Sequence, residues 1–164
     1  MKNNTTKLVS WNVPGVPTKS KTSGQGSTGL FQKIQQWSAD IHCIQETHIS
    51  TEQEAMRMRI AWAKSFGKSV NSHTPDLQSF SFWSSEQRGP LASSHCGTAI
   101  LINPRSRAVV KDVFHREDGR ATAVRMDLDG EDLSVWSLYV PSKRAQQADF
   151  FADLDLQTHR FPNP

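Results

Sequence analysis

At 164 residues the chain fits one domain, and 36% hydrophobic residues with a mean hydropathy of −0.56 describe a soluble protein with a modest core. No run reaches the roughly 18 apolar residues of a membrane helix, Met1 to Lys7 lacks an apolar signal core, and Cys43 and Cys96 make no disulfide framework. The expected setting is therefore reducing and intracellular, nucleus or cytoplasm. A net charge of +3 (19 basic, 16 acidic) and a pI of about 9.0 permit a polyanionic partner without requiring one.

Leu8 to Val13 alternates with period two, with Leu8, Ser10 and Asn12 on one face and Val9, Trp11 and Val13 on the other. Pro14, Gly15 and Pro17 stop this strand, and the Lys-, Ser- and Gly-rich stretch that follows reads as a flexible surface loop over about residues 15–28. Thr28 is placed as N-cap of a helix whose apolar face is Leu30, Phe31, Ile34 and Trp37. Ile41 to Glu46 reads as a short buried strand ending on a carboxylate. In a strand–helix–strand unit the two strands are expected to run parallel, so Asn12 and Glu46 emerge at one sheet edge.

Thr51 and Glu54 form a capping box for a helix carrying Ala55, Met58, Trp62 and Phe66, ended by Gly67. Four further strands are expected: Phe80 to Trp83, Gly97 to Ile102, Ala108 to Phe114 and Ala121 to Leu128. A fifth, Asp132 to Val140, is joined to the last of these by an Asp129-Gly130 hairpin turn. Pro141 stops it, and Ser142 is placed as cap of a helix with Ala145, Ala148, Phe151 and Leu154 on its face. Tyr139, the only tyrosine, stands at the end of its strand and shares a face with Val135 and Ser137. Asn12, Glu46 and Tyr139 at three strand ends are the kind of groups a metal–phosphate site uses.

In this order, five segments resemble the endonuclease/exonuclease/phosphatase superfamily. They are Ser10-Trp11-Asn12-Val13, Ile44-Gln45-Glu46-Thr47-His48, Gly97-Thr98-Ala99-Ile100-Leu101, Gly119-Arg120-Ala121-Thr122-Ala123-Val124 and Leu138-Tyr139-Val140-Pro141-Ser142. Within the superfamily they most resemble the apurinic-type endonuclease domain of non-LTR retrotransposons, from about Leu8 to about Phe151. The resemblance implies an α+β fold, a two-sheet β-sandwich flanked by helices. It also implies one partial domain over residues 1–164, with its core at about 8–156, incomplete at the C-terminus and therefore carrying unpaired sheet edges. The implied activity is cleavage of phosphodiester or phosphomonoester bonds with Mg²⁺, Mn²⁺ being a substitute, on nucleic acid (DNA rather than RNA) and with no membrane partner.

Carried over by position, Glu46 resembles the family's metal-binding glutamate, and Asn12 and Tyr139 resemble its active-site asparagine and its phosphate-contacting tyrosine. Arg120 is either a phosphate contact or a structural partner of Asp118 or Glu117, the structural role being preferred. The family's Gly-Asp-Phe-Asn and Ser-Asp-His segments, which orient the nucleophile and pair a histidine with an aspartate, do not occur in these residues. Asp149-Phe150 lacks the flanking glycine and asparagine, and Ser72-His73 comes too early. Ser137 stands where relatives carry asparagine, a departure that weakens the site. No general acid or base is assigned among His42, His48, His73, His95, His115 and His159, and these histidines with Cys43 and Cys96 have no zinc-ligand spacing. The expectation is a Mg²⁺-dependent endonuclease domain that does not turn over as this chain. The alternatives are a non-catalytic nucleic-acid-binding remnant of a retroelement and a phosphatase branch of the same superfamily.

Overall fold

The computed structural model describes residues 5–16, 26–68, 80–84, 96–158 and 161. Its elements in chain order are β1 (Leu8–Asn12), α1 (Gly26–Gln35), β2 (Ile41–Gln45), α2 (Glu52–Ser65), β3 (Ser81–Trp83), β4 (Thr98–Ile102), β5 (Val109–His115), β6 (Ala121–Leu128), β7 (Glu131–Leu138) and α3 (Arg144–Thr158). Four strands form one sheet in the order β1-β2-β4-β3, and three form a second in the order β5-β6-β7. β1 and β2 run parallel, with Asn12 opposite Gln45; every other pairing is antiparallel.

The sheets pack face to face. Ile41, Cys43, Phe82, Ile100 and Ile102 of the first meet Val124, Met126, Leu128 and Val135 of the second. The alternate side chains of the first sheet, Ile44, Trp83, Ala99 and Leu101, are covered by Phe31 and Ile34 of α1 and by Ala55, Met58 and Trp62 of α2. On the far side, Phe150 and Leu154 of α3 cover Ala121, with Phe114, Trp136 and Leu138 alongside. β2 is buried at every position because it lies between a sheet and two helices, which is why it reads as a nearly continuous apolar run. The two-sheet sandwich flanked by helices is the architecture expected from the sequence.

The local signals with a stereochemical basis hold. Glu54 N–H donates to Thr51 Oγ1 at 3.1 Å, and Thr51 N–H donates to Glu54 Oε2 at 3.2 Å. Asp129 and Gly130 both have positive φ, and Gly130 N–H donates to Asp127 Oδ1 at 2.9 Å.

Several boundaries differ. α1 begins at Gly26, so Thr28 lies inside it; the opening Gly26-Ser27-Thr28-Gly29 carries no apolar residue to mark a helix start in the sequence. The start of the expected loop is ordered pairing instead, with Val16 N–H donating to Thr47 O at 2.9 Å; residues 17–25 of it lie outside the described residues. α3 starts at Arg144, two residues beyond Ser142, and buries Phe150 and Leu154 while Ala145, Ala148 and Phe151 face outward. The face shifts because Phe150 and Leu154 pack on Ala121 beside Phe114 and Trp136, and Arg116 stacks over the Phe150 ring at 4.9 Å and holds Asp153 at 2.8 Å. β7 ends at Leu138, so Tyr139 lies just past the strand.

Candidate metal–phosphate site

The site begins with a backbone irregularity. Beyond β1 and β2 the two segments stay paired: Val13 N–H donates to Gln45 O and Gly15 N–H to Glu46 O, both at 3.0 Å. On the other side Thr47 N–H donates to Gly97 O at 3.0 Å and His48 N–H to Cys96 O at 3.1 Å. Within this ladder Glu46 has φ +56° and His48 has φ +56°, a left-handed conformation that costs a non-glycine residue roughly 1–2 kcal/mol. Such strain is retained only where surrounding bonds over-determine it, and here four hydrogen bonds between neighbouring segments do so.

The kink brings Glu46 against its two sequence-predicted companions. Asn12 Nδ2 donates to Glu46 Oε1 at 3.0 Å, and the Tyr139 hydroxyl hydrogen-bonds to the same carboxylate. Asn12 shares a face with Ser10 on β1, and Tyr139 follows β7 of the other sheet, so the cluster spans both sheets. The bond from Asn12, then that from Tyr139, and the nearby charge of His48 lower the Glu46 carboxyl pKa. Tyr139 is shifted upward for the reciprocal reason, since its ionisation would remove the proton it donates to Glu46.

Arg120 sits behind Tyr139. Its Nη1 donates to Tyr139 O at 3.3 Å, its guanidinium lies 5.1 Å from the phenol centroid, and its backbone accepts from Tyr139 N–H at 2.8 Å. Arg120 N–H donates to Asp118 Oδ1 at 3.0 Å, and its Nε is 4.0 Å from Asp118 Oδ2. Asp118 is also bonded to Arg116. Asp118 is thus a recorded side-chain partner of Arg120, and the tyrosine itself is held by the same guanidinium.

The described histidines divide by environment. His42 is buried between Trp37 and Trp62, and burial pushes its pKa down to about 4. His115, also buried, is pushed to about 4 by burial and the charge of Arg59, and its Nδ1 lies 3.2 Å from Thr122 Oγ1. His48 is the one beside Glu46. Its imidazole occupies space that a Gly15 side chain would fill, a Cβ there lying 2.9 Å from His48 Nδ1. The sequence signal for this contact was the Pro14-Gly15 pair, read only as a strand stop. His73, His95 and His159 lie outside the described residues.

Among the described residues no group of three or more His, Cys, Asp or Glu side chains is placed to hold a metal, which does not suit zinc. Mg²⁺ makes a different demand, since it commonly binds through one or two carboxylates with substrate phosphate and water completing its shell. An accessible Glu46 kept ionised by its neighbours, with the amide of Asn12 beside it, fits that requirement.

A two-sheet α+β sandwich with one acid at the strand ends is thus the class of molecule in view. Residues 9–164 match the model of the Endonuclease/Exonuclease/phosphatase family. The chain belongs to this family, and membership implies a phosphodiesterase-type fold. Among solved structures, a humanized D. rerio TDP2 is 13% identical with a TM-score of 0.54, over 94% of this chain and 55% of that one. TDP2 from C. elegans is 17% identical with a TM-score of 0.49, over 97% and 44% of the respective chains. A truncated form of the C. elegans protein is 17% identical with a TM-score of 0.48, over 97% and 58%. The chain therefore spans about half the length of these TDP2 chains. No curated protein sequence matches it.

Proposed function

We propose that this chain is the N-terminal portion of a Mg²⁺-dependent endonuclease domain acting on nucleic acid, DNA rather than RNA, of the apurinic type found in non-LTR retrotransposons. The observation that supports this reading is the convergence of Asn12, Glu46 and Tyr139 from both sheets onto one carboxylate. Glu46 would hold the cation, with Asn12 keeping it ionised and aimed. Mg²⁺, when bound, offsets charge on the phosphoryl oxygens and on the leaving oxygen. Tyr139, held by Arg120, would present its hydroxyl to a phosphate oxygen once substrate competes with Glu46 for it.

The same residues favour binding without hydrolysis for this chain alone. Gly-Asp-Phe-Asn and Ser-Asp-His, which would orient the attacking water, do not occur in its 164 residues, and removing such groups costs large rate factors. Mn²⁺ binding followed by electron paramagnetic resonance and nicking of supercoiled and abasic DNA test both parts. Wild type is expected to bind Mn²⁺ and to leave DNA uncut, and Glu46→Ala to lose the binding. Equal Mn²⁺ affinity in Glu46→Ala would remove the metal role from Glu46. Nicking by wild type that vanishes in Glu46→Ala would show that the chain is itself catalytic.

A further inference from the structure

Directly beneath the site lies a second polar cluster, in the seam between the sheets. Gln45 precedes Glu46, Ser10 lies two residues before Asn12, and Ser137 two before Tyr139. On β1 and β7 that spacing puts each serine one pleat below its site residue on the same face. The three side chains meet. Gln45 Nε2 donates to Ser137 Oγ at 3.1 Å and to Ser10 Oγ at 3.2 Å, and Ser10 Oγ donates to Gln45 Oε1 at 3.4 Å. Ser137 Oγ in turn donates to Ile44 O at 3.1 Å. Ser137 is fully buried and Gln45 is 9% exposed.

At the same level of the seam Thr98 Oγ1 of β4 and Thr122 Oγ1 of β6, both buried, lie 2.9 Å apart, so this end of the interface is polar. The inter-sheet space farther along is apolar, filled by Ile41, Cys43, Ile100, Val124, Met126 and Val135. Apolar burial is non-directional, whereas a hydrogen bond requires a defined distance and direction and so adds a specific alignment to the packed interface. The bond from Gln45 to Ser137 ties the last residue of β2 to β7, and that from Ser137 to Ile44 ties the same two strands again. The site above needs such a tie, because Glu46 comes from one sheet and Tyr139 from the other.

We propose that Gln45, with Ser10 and Ser137, is the positioning group of the site: a hydrogen-bonded latch between the sheets, buried at Gln45 and Ser137 and exposed at Ser10, that sets the distance from Glu46 to both Asn12 and Tyr139. None of the three is a catalytic residue, since each acts through its neighbour in the chain. Ser137, the departure from the family pattern, is in this arrangement a member of the latch. The hydroxyl is short enough to bond Gln45 and the Ile44 carbonyl at once. The inference deepens the metal–phosphate reading and rests on it for its chemical meaning; the latch itself is testable apart from it.

Tyr139 is the sole tyrosine, so tyrosine labelled with carbon-13 at Cζ gives the full 164-residue chain one reporter resonance. At constant neutral pH, Glu46→Ala marks the position of that resonance when the carboxylate acceptor is lost. Gln45→Leu and Ser137→Ala are expected to shift the resonance toward that position and to weaken Mn²⁺ binding about tenfold, the scale typical of groups that orient a metal ligand. Ile102→Val, a packing change elsewhere in the same inter-sheet core, is expected to leave both unchanged.

A resonance that stays at its wild-type position in folded Gln45→Leu and Ser137→Ala overturns the latch. Should Gln45→Leu fail to fold, Ser137→Ala and Ser10→Ala decide the matter, each removing one hydroxyl. Wild-type protein that binds no Mn²⁺ would sink the metal reading, while the tyrosine resonance still decides the latch.

Discussion

Glu46 illustrates how neighbours make a single side chain usable. Its carboxylate is accessible, yet Asn12 and Tyr139 keep it charged, and its left-handed backbone is held by its own bond from Gly15 and by that of the next residue, Thr47, to Gly97. Arg120 acts one step further out, on Tyr139 and Asp118. This predicts a separation between stability and ligand binding. Arg120→Ala removes a cation–π contact and a largely buried ion pair, together about 1–2 kcal/mol, and is expected to lower the denaturation midpoint by a corresponding amount. Arg120→Lys should recover little, because an ammonium cannot both stack on the phenol and reach the Tyr139 carbonyl. If Arg120 is instead a phosphate contact, the alanine variant keeps its stability and loses DNA affinity with a shallower salt dependence. Paired denaturation and binding measurements decide between the two.

At the scale of elements, the site depends on two chain segments continuing to pair after their strands end. Gly15 is the close approach in that pairing, with φ +87° and a would-be Cβ 2.9 Å from His48 Nδ1. Gly15→Ala is therefore expected to cost about 1–3 kcal/mol, part from the positive φ and part from displacing the imidazole. Gly67, with φ +77° and nothing within 4 Å of its would-be Cβ, serves as the comparison; Gly67→Ala should lose only about 1 kcal/mol. Adding His48→Ala to Gly15→Ala should recover the contact portion alone, a coupling that a double-mutant cycle measures directly. Equal losses at Gly15 and Gly67 would mean that the imidazole moves aside freely.

The elements also show why some of the molecule could be read from its residues and some could not. The capping box at Thr51 and the Asp129-Gly130 turn are local stereochemistry, complete within four residues, so they are visible without the fold. The parallel pairing of β1 and β2 follows from connectivity, which places Asn12 and Glu46 at one edge. The burial face of α3 was misassigned because Ala145, Ala148, Phe151 and Leu154 have helical spacing, as do Phe150 and Leu154. Only long-range partners, Ala121, Phe114 and Trp136 in the packing and Arg116 beside them, select between them. The left-handed turn at Glu46 and the seam joining Gln45 to Ser137 were illegible for the same reason. Both depend on residues far apart in the chain, and no residue type announces them.

For the whole molecule, the helix–sheet–sheet–helix layering buries two histidines, one in each sheet: His42 on β2 under α2 and His115 at the end of β5. Burial lowers both from an ordinary pKa of 6.5 to about 4, with the Arg59 charge contributing at His115. Between those two values the unfolded chain binds a proton at each position and the folded chain does not. Stability must then rise with pH across the window and fall on acidification, by roughly 3 kcal/mol per histidine at most. Below about pH 4 the folded state takes up the protons as well and this contribution levels off. Glu46, whose pKa is lowered instead, loses its stabilising bonds only below the ordinary carboxylate range, so it does not contribute near pH 6. The slope there belongs to the histidines. Denaturation midpoints measured from about pH 7.5 down to about pH 4.5 are therefore expected to fall steadily. His42→Phe keeps an aromatic ring between Trp37 and Trp62 and should remove about half of that fall. A pH profile as steep in His42→Phe as in wild type would place the proton uptake elsewhere in the fold.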